Sequence, residues 1–313
     1  MTIADNGAPA PLRSDPAVRR ALLLMTAAAS MFGGMAFAAK IASGRLSGPE
    51  VAMIRFAVGL LPCLVVPRYR RASLHFHRLD LLFLRGFFGG LAVLLYFIAI
   101  EHSTVGVATL LNYTAPLYSG LLSMLFLGEE ISAKVLIPMP IALLGVFLVV
   151  HAHAAPGEVL GFGKWELIGA CSAVASGAAV TAMRAARRGE NSWSVYASFC
   201  FLGLLVTMPL GLWSWKTPTP TEWVALLATS LLAIGAQLTM TFTLRWVDAM
   251  TVGVISQLAV IISMALGATL LGERITPAAA LGSVLTISGV IGVVYVTSLT
   301  KRKAAADEVA PES

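Results

Sequence analysis

Charge is what this 313-residue sequence has least of: 12% of its residues are charged, against 58% hydrophobic, with a mean hydropathy of +0.83. Soluble domains carry about a quarter charged residues, because a packed core needs a hydrated shell around it. The 22 Lys+Arg and 16 Asp+Glu are too few and too clustered to supply that shell. An ordinary soluble globule is therefore excluded, and a polytopic membrane protein is indicated. Cysteine is scarce as well. Cys63, Cys171 and Cys200 stand singly in apolar stretches without CxxC spacing, which points to packing rather than to disulfides or zinc. Catalytic signatures are missing: there is no GxxxxGK[ST], no HExxH, and the five histidines (His75, His77, His102, His151 and His153) all fall in loops or at span ends. His151-Ala152-His153 lacks a third ligand and reads as a solvated loop end. No enzyme, metal or other cofactor is called for.

What is present is a series of apolar runs of about 17–25 residues, the length that crosses a bilayer as a helix. Ten are expected, at roughly 21–43, 50–67, 80–100, 103–127, 132–151, 166–184, 193–213, 222–244, 249–271 and 277–298. Residues 1–18 and 299–313 read as polar cytoplasmic tails. The net charge of +6 does not track a phosphate backbone, because the basic residues sit in short clusters between apolar runs; the partner they imply is the lipid bilayer, not nucleic acid. Fifteen of the 22 fall on one side of the spans (the Arg19, Arg68, Arg184 and Lys301 clusters among them) and five on the other: Lys40, Arg45, Lys164, Lys216 and Arg274. That bias predicts both termini in the cytoplasm of an inner-membrane protein. Glu50, Asp80, Glu166, Glu222 and Asp248 stand at span starts, where a carboxylate meets the positive end of a helix dipole. Ser132 and Thr276 are placed to N-cap their helices.

A shift of 144 residues superposes the sequence on itself without a gap. Leu127-Gly128-Glu129-Glu130-Ile131-Ser132 falls on Leu271-Gly272-Glu273-Arg274-Ile275-Thr276, Gly145-Val146 on Gly289-Val290, Gly33 on Gly177 and Gly59-Leu60-Leu61 on Gly203-Leu204-Leu205. Each repeat then holds five spans, and an odd number turns the second repeat upside down relative to the first. The expected fold class is an all-α membrane protein of ten transmembrane helices built from two inverted five-helix repeats, 19–152 and 165–298, joined through 153–164. Inverted repeats give a transporter two near-equivalent states with a site near the midplane.

The ten spans, the two five-helix halves and the paired Leu-Gly-Glu at 127–129 and 271–273 resemble the EamA-like branch of the drug/metabolite transporter superfamily. Tyr113-Thr114-Ala115-Pro116 also fits that family's first-half pattern, whereas Val260 stands where Pro116 would recur. The resemblance covers about residues 20–298. It implies a substrate cavity bounded by spans one, three, four, six, eight and nine, with spans five and ten peripheral, and export as the usual direction.

Neutral polar groups are the leading pathway candidates, since they satisfy a solute without the full cost of a buried charge. Asn112 and Tyr113 fall on Ser256 and Gln257 under the 144 shift, so each half offers an adjacent polar pair at equal depth. Gln237, Tyr96 and Ser30 join them; the competing role for all of these is hydrogen bonding between helices. Arg55 and Arg85 lie inside spans. Arg55 is expected to snorkel to the nearer interface, while Arg85 either snorkels or holds a substrate carboxylate or phosphate. Pro116 is the expected hinge of span four, and Glu129 and Glu273 are expected structural caps. Gly86 and Gly90 form a GxxxG face for close helix approach. The predicted function is a secondary transporter exporting a small organic metabolite. Uptake or exchange of a nucleotide-like or vitamin-like solute is the alternative within transport, and a sensor is the alternative outside it. A homodimer is left open.

Overall fold

A computed structural model describes residues 16–73, 77–127, 133–152, 163–186, 190–243 and 249–309, and all the regular structure among them is helical. The helices are α1 (Pro16–Ala42), α2 (Gly48–Val65), α3 (Pro67–Ser73), α4 (Leu79–His102), α5 (Val105–Asn112), α6 (Ala115–Leu127), α7 (Pro138–Ala152), α8 (Lys164–Ala186), α9 (Ser192–Trp213), α10 (Pro220–Thr243), α11 (Ala249–Ser256), α12 (Leu258–Leu270) and α13 (Pro277–Val309). Eight of the described helical segments are long and apolar enough to cross a membrane. The expected fourth span is divided between α5 and α6, and the helix of the fifth, α7, has 15 residues. At both ends the helices run past the apolar runs. Helix α1 begins at Pro16 and α13 continues to Val309, inside what reads as a polar tail. No glycine or proline follows Leu299 before Pro311, so nothing in the chain breaks the helix where the apolar run stops.

Several helix starts are fixed locally. Ser47 accepts from the Glu50 backbone N–H three residues on, with Pro49 in the first turn, and α2 begins there. Thr219 and Glu222 cap each other reciprocally: Glu222 N donates to Thr219 Oγ1 and Thr219 N to Glu222 Oε2 at 2.7 Å. Thr276 Oγ1 accepts from Ala279 N at the start of α13, as its sequence position implies.

The 144-residue offset recurs in the helix boundaries. Helix α1 ends at Ala42 and α8 at Ala186, α2 starts at Gly48 and α9 at Ser192, and α5 spans Val105–Asn112 where α11 spans Ala249–Ser256. It recurs in the packing too. Helix α1 packs on α10 and α12 while α8, its mate, packs on α4 and α6, and α2 lies against its own equivalent α9 as α7 does against α13. Such exchange of partners is the mark of a two-fold, self-complementary arrangement. The repeated glycines sit at these crossings. A Cβ on Gly33 would meet Ile262 and the Ala259 carbonyl, and one on Gly177 would meet Tyr118 and the Ala115 carbonyl, each pair being the other's 144-residue counterpart. Gly145 and Gly289 are likewise closed off by Thr286 and Ala142 across the α7–α13 crossing. Only hydrogen fits where two helix backbones approach this closely, so these repeated positions mark contacts between helices.

Candidate functional site

The expected fourth and ninth spans are both interrupted, at positions 144 residues apart. Helix α5 ends at Asn112 and gives way to a turn at Tyr113 and Thr114, and α11 ends at Ser256 and gives way to a turn at Gln257. At the first break Leu117 N donates to Thr114 O, three residues back, instead of continuing the α-helical ladder to Tyr113 O. The Tyr113 carbonyl thereby freed accepts from Gln257 Nε2 at 3.3 Å, so the two interruptions meet. Pro116 stands in the first turn of α6, where its missing N–H leaves no bond unmade, and the chain turns just before it. The second break forms with Val260 in the proline's place: Val260 N and Ile261 N both turn to Gln257 O.

The remaining candidates divide into those that join this centre and those that do not. Tyr96 is buried, and its hydroxyl lies 2.9 Å from Thr109 Oγ1. Because Thr109 spends its own proton on Val105 O, Tyr96 is the donor, which ties α4 to α5. Asn112 Nδ2 donates to Ser172 Oγ at 3.0 Å and ties α5 to α8. Gln237 lines a crevice beside Arg55. Ser256 donates to Val252 O within its own helix, and exposed Ser30 does the same to Thr26 O, so neither hydroxyl joins the Tyr113–Gln257 centre by a hydrogen bond.

Arg55 is where the sequence reading fails. It does not snorkel: its side chain is 8% exposed and its guanidinium stands over the rings of Phe56, Phe97 and Phe199. Arg85 is equally buried, 4.3 Å from the Phe199 centroid. The ring faces supply cation–π attraction that replaces part of the hydration a snorkelling arginine would keep. A lone arginine near a span end carries no local signal of this, because all the rings but Phe56 come from other helices. Lys40 donates to the carbonyls of Ile100, Glu101 and Ser103 and closes the C-terminal end of α4.

Glu273 accepts from Val105 N through both oxygens, at 3.0 Å each. The helix it serves is α5, in the other half, and not the helix that follows it in sequence. Gly272 explains the reach: at φ 66° it takes the left-handed turn that ends α12 and swings the next side chain outward. Glu129, its counterpart, lies outside the described residues, as do Ser132 and Asp248. The same end of the bundle carries further ties between the halves. Arg45 forks onto Glu222 (Nε to Oε1 2.7 Å, Nη2 to Oε2 2.6 Å) and donates to Thr217 O; the Glu222 hydrogen bond raises the pKa of Arg45, so it stays charged. Lys216 donates to Arg45 O, and Lys216 N to Glu50.

The duplicated sequence and the helical fold find their match among known proteins. The model of the EamA-like transporter family fits the chain twice, over residues 19–151 and 163–295. The chain belongs to the EamA-like transporter family. Among curated relatives it is similar to the pseudopaline exporter CntI of Pseudomonas aeruginosa, 29% identical over 226 residues that cover 72% of this chain and 78% of the relative. It is also similar to the threonine/homoserine exporter RhtA of Escherichia coli, 27% identical over 302 residues, 89% of this chain and 96% of the relative. A solved crystal structure shares the fold with a TM-score of 0.57 at 20% identity, covering 91% of this chain and 99% of the other. The chain is thus a multi-pass membrane transporter of this family, with relatives named as exporters of small metabolites.

Proposed function

We propose that this protein exports a small organic metabolite across a bacterial inner membrane by alternating access between two inverted five-helix repeats, 19–152 and 165–298. In this reading α5 with α6 forms one span and α7 another, which with the eight long segments makes ten. Both termini lie in the cytoplasm on the strength of the basic-residue bias, so the end of the bundle bearing Arg45, Glu222 and Glu273 faces outward. The single observation that carries the reading is the Gln257–Tyr113 hydrogen bond between two helix breaks at repeat-equivalent positions. Paired discontinuous helices expose backbone polar groups in the membrane only where a cavity or the protein itself can satisfy them, and in inverted-repeat transporters they frame the site. Each break lies eight residues, or about 12 Å, from its own end of the bundle, which sets the pair on either side of the midplane.

Helix α5 packs on α12, whereas their mates α11 and α6 do not pair to that extent among the described residues. Together with the Glu273–Val105 contact this supports reading the described state as sealed on the outer side, the state in which an exporter loads. Asn112, Tyr113, Ser256, Gln257, Gln237, Tyr96, Arg85 and Ser30 are its proposed pathway residues, with Arg55 added and Pro116 as the hinge. Comparing metabolites inside and outside cells with and without the protein, followed by flux of the enriched compound in proteoliposomes, tests this. Export should fall when Gln257 or Asn112 becomes leucine; flux by neither wild type nor any variant would sink the transport reading.

A further inference from the structure

Two guanidinium groups are buried here without a counter-charge. Arg55 Nε and Nη1 and Arg85 Nε are inaccessible and have no hydrogen-bond partner among the described residues. Among the described residues neither guanidinium forms an ion pair, and the titratable groups that line the crevice beside Arg55 are Tyr196 and Cys200. Neither is a carboxylate. Both charges flank Phe199, at 5.8 Å and 4.3 Å from its centroid, so they stand no more than about 10 Å apart and repel one another. Ring faces offset only part of the cost of a bare arginine at membrane depth, and such a residue is retained where something pairs with it. Packing alone does not explain two of them side by side.

Their placement says what the missing partner is. Arg55 is the eighth residue of α2 and Arg85 the seventh of α4, so their backbones enter about 10 Å and 9 Å from opposite ends of the two helices, while both guanidiniums converge on the Phe199 ring. Each guanidinium presents a planar fork of N–H donors matched to a carboxylate. Beside Arg55 lies a small crevice of about 10 Å³, room for about one water in this closed state, lined by Phe56, Tyr196, Phe199, Cys200 and Gln237 and reaching both α9 and α10 of the second half. We infer that Arg55 and Arg85 form a paired anion site around Phe199 whose cargo is a small organic acid with two carboxylates, one for each guanidinium. The cargo neutralises the site, and its departure restores the repulsion that favours reopening. The inference rests on the transporter reading above, since it treats the ligand as cargo.

The test uses the full-length protein purified in lipid nanodiscs, with glutarate and succinate as probes, their monoamides as one-charge controls, and inorganic phosphate. The diacids should bind wild type, and the monoamides at least about tenfold more weakly, since each loses one charge-assisted contact. Arg55→Gln and Arg85→Gln should each weaken diacid binding about tenfold or more and erase the preference over the monoamide. Should the glutamine variants fail to fold, Arg55→Lys and Arg85→Lys keep the charge but lose the fork, and should weaken diacids while leaving thermal unfolding near wild type. Equal binding of diacids to wild type and variants, no diacid binding at all, or binding of phosphate alone would overturn the assignment. In proteoliposomes, export of a neutral or cationic metabolite that is indifferent to both substitutions overturns the anion site and leaves the transporter reading intact. Diacid binding lost in the variants, with no flux of any solute, keeps the site and removes the transporter reading.

Discussion

Removing the Glu273 carboxylate should loosen the start of α5 selectively. Its two oxygens are each 3.0 Å from Val105 N, and Thr104 Oγ1 accepts from Val107 N, so the first turn of α5 depends on one cap from its own chain neighbour and one from the other half. Loss of an N-terminal cap costs about 1 kcal/mol, and a carboxylate at a partly buried helix N-terminus adds up to about as much again through the dipole. Glu273→Ala should therefore lower the opening free energy of this turn by about 1–2 kcal/mol, and Glu273→Gln, which keeps the shape but not the charge, by about half of that. A change of 1.4 kcal/mol is tenfold in an equilibrium, so amide exchange over residues 104–112 should speed up roughly fivefold to thirtyfold in the alanine variant. Hydrogen–deuterium exchange with mass spectrometry on nanodisc-embedded protein measures this directly, with a peptide from α9 as the internal reference. Exchange over 104–112 that stays within twofold of wild type, while the reference peptide is unchanged, would refute the cap. Because the bond joins the two halves, the same variant should also shift the protein toward the state open at that end.

Gly90→Leu should prevent stable assembly, because a Cβ there would stand 2.6 Å from Gly203 Cα, backbone that cannot yield; recovery of monodisperse protein on size exclusion measures it, and Gly120→Ala, which meets nothing within 4 Å, is the matched control. Gln257→Leu removes the bond to the Tyr113 carbonyl and should cost about 0.5–1.5 kcal/mol, read as a lowered thermal midpoint together with reduced export; an unchanged midpoint would mean the two breaks are not coupled. The exposed Arg45–Glu222 fork should weaken with ionic strength, so raising salt from 0.01 to 1 M should increase labelling of a cysteine placed at Thr217 in wild type and leave labelling unchanged in the Glu222→Gln background.

The local features of this chain were legible without a structure. Apolar runs located the membrane helices, Ser47, Thr219 and Thr276 located helix starts through contacts three residues away, and the 144-residue offset foretold that boundaries such as Ala42 and Ala186 would coincide. Gln257 and Tyr113 stand at repeat-equivalent positions in the sequence, and the contact between them is visible only in the structure. The misses are non-local. Arg55 reads as a snorkelling residue because its own helix offers a short way out, while the Phe97 and Phe199 rings that hold it in place are 42 and 144 positions away. Glu273 reads as a cap for its neighbour, yet its target lies 168 residues upstream.

Sequence by itself therefore determined the solvent, the helices and their duplication, because hydropathy, capping and repetition are written along one strand of chain. Only the tertiary structure decided which helix faces which. That pairing follows from the small-residue crossings and from exchanging mates between the halves, and it is what turns two ordinary span arginines into an unpaired, buried couple and two unrelated helix breaks into one junction.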